Sequence, residues 1–102
     1  MNKAYIICFD RGGLLDFVDY NKFHDALIIA NGVLNWWHYL ECTYIIITPA
    51  AVTATSVAQF VTQQMPGKHS FTSEINLQNH NGFLPQEAWN WINQVNLNSN
   101  LI

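Results

Sequence analysis

Asp10 is the residue whose type and position first suggest chemistry. It stands where the apolar run Tyr5-Ile6-Ile7-Cys8-Phe9 stops and the loop-forming Arg11-Gly12-Gly13 begins. A carboxylate there can ligate Mg²⁺, which prefers oxygen ligands and keeps several waters. It can equally cap the loop by accepting backbone N–H groups. The other acids suit other roles: Asp16 and Asp19 flank the first helix as caps, and Asp25 lies inside it. Glu41 falls at a turn, and Glu74 and Glu87 fall on exposed faces. His24, His38, His69 and His80 lack metal-ligand spacing, although each has the chemistry of a general base. His24 falls on an apolar helix stripe and reads as a satisfied core residue. Cys8 and Cys42 have no CxxC spacing for zinc, and Cys8 reads as a buried free thiol. Gly12-Gly13 is too short for a phosphate-binding fingerprint and reads as a flexible loop.

Trp36, Trp37, Trp89 and Trp91 have faces that can stack on nucleobases. Such residues more often fill cores and interfaces. Stacking on nucleic acid also needs interleaved cations. The chain has four, Lys3, Arg11, Lys22 and Lys68, and a formal net charge of -3. Proteins that hold a nucleic-acid backbone neutralise roughly 6–10 phosphates. Weak or absent nucleic-acid binding is the expectation.

These residues must be positioned by one domain, since 102 residues can bury one core and not two. Half the residues are hydrophobic and 11% are charged, against about 25% in an average soluble domain. That balance predicts a packed fold with apolar surface left over for a partner. The run from Ala4 to Phe9 reads as a central strand, with Ala4, Ile6 and Cys8 on one face and Tyr5, Ile7 and Phe9 on the other. A helix capped by Asp19 follows, with Tyr20, Phe23, His24, Leu27 and Ile28 on one stripe and Gly32 closing it. Trp36 to Thr48 is rich in aromatic and β-branched residues and too long for one strand. It reads as two strands turning at Glu41-Cys42, or as one strand bent by a bulge. Thr48-Pro49 opens a second helix, with Val52, Val57, Phe60, Val61 and Met65 buried and Pro66-Gly67 as its stop. Residues 68–77 alternate like a half-exposed final strand. Leu84-Pro85-Gln86-Glu87 starts a short third helix, with Trp89 and Ile92 on one side and Trp91 elsewhere. Residues 96–102 form an Asn-rich tail, flexible or docked on a partner.

The order β, α, β-β, α, β predicts an α+β ferredoxin-like βαββαβ sandwich over residues 1–95. Its four-stranded antiparallel sheet carries two helices on one face. The other face needs a cover, which the third helix or a second protomer can supply.

Three segments together carry a resemblance across residues 3–93. They are Tyr5-Ile6-Ile7-Cys8-Phe9-Asp10, the aromatic hairpin Trp36 to Ile46, and Gly82-Phe83-Leu84-Pro85-Gln86-Glu87-Ala88-Trp89-Asn90-Trp91. The layout resembles small bacterial proteins often labelled "SinR family". These are similar to the small ferredoxin-fold CRISPR-associated adaptation protein, which is endoribonuclease-like. The resemblance implies a homodimer in which Asp10 of each protomer faces its mate and the pair holds a divalent metal, Mg²⁺, for phosphodiester cleavage. It also implies that Thr43 is the hydroxyl residue of the hairpin. The sequence departs from that pattern: Gly12-Gly13-Leu14-Leu15 follows Arg11 where the relatives carry basic residues, and the net charge is acidic. No helix-turn-helix pattern is present.

The expectation is therefore a cytoplasmic homodimer that serves as a noncatalytic interaction module, with a further protein partner open. The alternative is a metal-dependent endonuclease using Asp10 from both protomers. A toxin or toxin partner of the same fold is a third reading. No apolar run approaches the ~20 residues that span a bilayer, so no membrane association is expected.

Overall fold

In the computed structural model, residues 1–11 and 17–95 are described, with backbone alone for residues 17–19. The elements run β1 (Lys3–Phe9), α1 (Phe17–Ile28), β2 (Asn35–Leu40), β3 (Thr43–Thr48), α2 (Ala54–Gln64), β4 (Ser70–Ile75) and α3 (Gln86–Gln94). The four strands form one open antiparallel sheet in the order β2-β3-β1-β4.

β1 is central, and its two apolar faces explain the layers on either side. Tyr5, Ile7 and Phe9 join Tyr44 and Ile46 of β3 beneath α1 and α2, which add Phe23, Leu27, Val57 and Val61. Ile6 joins Ile45 and Trp37 on the opposite face, beneath Ala88 and Ile92 of α3. The third helix thus supplies a cover for the second face. Trp37 Nε1–H donates to the Ala88 carbonyl at 3.2 Å, and Trp91 Nε1–H donates to Asn35 Oδ1 at 3.2 Å.

The β2–β3 hairpin turns at Glu41-Cys42, with Leu40 opposite Thr43. It is also bulged. Trp37 pairs with Ile45 and Leu40 with Thr43, so His38 and Tyr39 stand opposite Tyr44 alone. The extra residue bends the strand and re-aims its side chains.

Four boundaries differ from the sequence expectations. α1 begins at Phe17, so Asp19 lies inside the helix rather than capping it. It ends at Ile28, before the expected stop at Gly32. α2 is capped by Thr53 rather than Thr48. Thr48 closes the sheet, paired with Lys3, and its hydroxyl donates to the adjacent Pro49 carbonyl at 3.1 Å. The Thr53 hydroxyl instead accepts the Ser56 N–H at 3.1 Å while the Ser56 hydroxyl accepts the Thr53 N–H, a reciprocal capping box. β4 is shorter than expected: the chain turns at Pro66-Gly67, with Gly67 at φ 80, and Lys68 and His69 precede the strand, which ends at Ile75. Trp91 packs on the same apolar cluster as Trp89 rather than apart from it. The expected roles of Asp16, Gly12-Gly13 and residues 96–102 lie outside the described residues.

Candidate functional site

Asp10 follows β1 directly, and its backbone N–H donates to the His69 carbonyl at 3.1 Å. Two contacts hold this strand end in place. The Lys68 ammonium donates to the Asp10 carbonyl and, at 2.9 Å, to the Arg11 carbonyl. Lys68 Nζ also lies 5.2 Å from the centre of the Tyr20 ring, whose hydroxyl donates to Arg11 O at 3.0 Å. Arg11 reaches across to Glu41 at the hairpin turn, at 2.5 Å. Two of the four cations are thus engaged within the chain at this corner.

The Asp10 carboxylate stays open. Its side chain is 67% exposed and approaches His69 Nδ1 at 3.7 Å, with His69 95% exposed. A pair this wet is screened and holds little energy. Chemically it places an acceptor carboxylate beside a titratable imidazole at the sheet rim. His69 had no signal in the sequence beyond its type; the β1–β4 register brings it there.

Thr43 lies on the same face of the sheet. Cys8 pairs with Thr43 on one side and Phe71 on the other. Thr43 Oγ1 is 4.0 Å from Cys8 Sγ. Asp10 continues the alternation of Ala4, Ile6 and Cys8. The two residues singled out by the resemblance therefore share one face, with Cys8 between them in register. Cys8 is half-buried rather than fully buried.

α3 covers the Ile6–Ile45 portion of this face and leaves the end near Asp10 apolar and open. Phe71 is 66% exposed, Leu40 48%, and Tyr39 is also exposed. Among the described residues no group of three or more His, Cys, Asp or Glu side chains comes together. One chain thus offers a metal at Asp10 few ligands of its own.

A second titratable cluster occupies the opposite face. His24 Nδ1 lies 2.6 Å from the Tyr44 hydroxyl, and His38 Nδ1 lies 3.0 Å from the Thr43 carbonyl. His24 Nδ1 therefore has a polar partner, and the residue is partly buried rather than in the core. Burial, reinforced by the Asp25 carboxylate, pushes the Tyr44 phenol up to about 12. An apolar cleft of about 190 Å³ between α2 and the chain leaving α1 is lined by Leu27, Val33, Ile46, Val52 and Phe60 among others; it carries no titratable side chain.

No helix among the described residues is long and apolar enough to cross a membrane. Comparison with protein families, curated proteins and solved structures found no match to this chain.

Proposed function

We propose that this chain is a homodimeric interaction module of ferredoxin-like fold acting in the cytoplasm. The order β2-β3-β1-β4 with α1 and α2 on one face supports the fold reading. The observation that carries the function is the open apolar end of the second sheet face, where Phe71, Leu40 and Tyr39 remain exposed beyond the reach of α3. Exposed apolar clusters of this kind on a small domain mark sites of association. A second copy of the chain is the occupant, with a further protein partner reading the assembled surface. The engagement of Lys68 and Arg11 within the chain leaves little charge for a phosphate backbone.

A second reading rests on a separate observation. The exposed Asp10 borders this apolar end and shares its face with Thr43, and these are the two residues that the resemblance to the CRISPR-associated adaptation protein singles out. In a dimer built there, the two Asp10 carboxylates would supply a Mg²⁺ site between protomers, and the ion would activate water for phosphodiester cleavage. Cleavage of single- and double-stranded RNA and DNA with Mg²⁺ or Mn²⁺, wild type beside Asp10→Asn, separates the readings. Activity abolished by Asp10→Asn in a still-dimeric protein establishes the nuclease. A dimer without activity in either form supports the interaction module. A monomer overturns both.

A further inference from the structure

We propose that His24 and His38 form a two-imidazole binding site for a divalent transition metal ion of the Zn²⁺ or Cu²⁺ type. The site lies on the face of the sheet opposite Asp10 and stands independently of the dimer reading. His24 comes from α1 and His38 from the bulge in β2. Their ring centroids are 6.1 Å apart, with planes at 39°.

The hydrogen bonds prepare both rings for ligation. His38 Nδ1 can only donate to the Thr43 carbonyl, which leaves the lone pair on Nε2. His24 Nδ1 meets the Tyr44 hydroxyl, and when it donates there its Nε2 lone pair is free as well. No described residue hydrogen-bonds either Nε2. Metal-bound histidines show this pattern: one ring nitrogen held by a protein partner fixes the tautomer and orientation, and the other faces the ion. Imidazole suits Zn²⁺, Cu²⁺ and Ni²⁺ rather than the oxygen-seeking Mg²⁺.

The surroundings orient the two rings. His38 lies flat on Tyr44 at 3.9 Å, and Trp36 meets His24 edge-on at 5.1 Å. The Asp25 carboxylate, one residue along α1, is near enough to act electrostatically on Tyr44 and favours a cation in this region. With metal–nitrogen distances of about 2.0–2.1 Å, each ligated ring centroid sits about 3.2 Å from the ion. Two such rings stand about 5 Å apart in a tetrahedral site. The pair must therefore close by about 1 Å, with water completing the coordination.

The test is titration of the full chain with Zn²⁺, read by calorimetry and by nitrogen-detected NMR of the imidazoles. The expected result is one saturable ion per chain, with the Nε2 signals of His24 and His38 shifting together. The signals of His69 and His80 should hold still at stoichiometric metal. His38→Gln should abolish the saturable step, and His69→Gln should preserve it. Shifts that begin at His69 or His80, unchanged binding in His38→Gln, or no saturable binding by the wild type would each overturn the proposal. The wild-type NMR reading decides the question even if a variant folds poorly.

Discussion

The imidazole of His38 lies parallel to the phenol ring of Tyr44, with centroids 3.9 Å apart and planes within 1°. The hairpin bulge produces this relationship, because it sets two residues of β2 against the single Tyr44 of β3. The stack and the bond to the Thr43 carbonyl should tie the edge strand to the core. His38→Ala should therefore lower stability by about 1–2 kcal/mol, most of it from the lost stack and hydrogen bond. Urea unfolding followed by fluorescence measures the difference, and an unchanged midpoint would mean that the edge is held by other contacts.

Tyr44 also sets an alkaline limit. Its phenol is pushed up from 10.0 to about 12, first by burial and then by Asp25. Because the folded value is raised, the neutral phenol is favoured in the folded state. The resulting stabilisation is complete below about pH 10 and is lost as pH rises through about 12. A phenolate absorbance titration should show a late-ionising tyrosine. Tyr44→Phe should flatten the fall in stability between those limits, and an equally steep fall in the variant would contradict the assignment.

The start of α2 depends on Thr53. Thr53→Ala removes the acceptor for the Ser56 N–H and should cost about 0.5–2 kcal/mol. Thermal unfolding checks it. A loss of stability confined to Thr48→Ala, with Thr53→Ala silent, would return the cap to the earlier threonine.

That pair of threonines shows what the sequence can and cannot reveal. Thr48-Pro49 and Thr53-x-x-Ser56 are both sound helix starts by local chemistry. The choice is made by the sheet, which claims Thr48 as the partner of Lys3. The two-faced strand from Ala4 to Phe9 and the turn at Glu41-Cys42 were readable because their signals are local, a period of two and a polar break. Asp10 was readable as the polar end of an apolar strand. His69 beside Asp10, and His24 beside Tyr44, were not, because strand register and helix placement bring them together. The separate setting of Trp91 expected from helical spacing also failed: Trp89 and Trp91 both pack, partly buried, against the cluster of Trp37, Ile45, Ala88 and Ile92.

The α3 layer makes its own prediction. Ile92 is buried between α3 and the sheet. Ile92→Ala should cost about 2–5 kcal/mol if that layer folds cooperatively with the rest. Hydrogen exchange would then show α3 and the strands opening together, and selective exchange of α3 with the sheet still protected would show that the cover is loosely attached.

Duplex nucleic acid should bind weakly. Lys68 and Arg11 are engaged at the Asp10 corner, which leaves Lys3 and Lys22. Fluorescence anisotropy at about 0.15 M salt should show no tight complex. Submicromolar affinity that survives this salt would contradict the charge argument.

The central claim is association through the open apolar end of the sheet, and sedimentation velocity of wild type beside Phe71→Glu tests it most directly. Phe71 is 66% exposed, pairs in register with Cys8 and contributes little to the core, so the variant should keep its fold. At concentrations of about tens of micromolar the wild type should sediment as a dimer and Phe71→Glu as a folded monomer. A monomeric wild type, or a variant as dimeric as the wild type, would contradict the account.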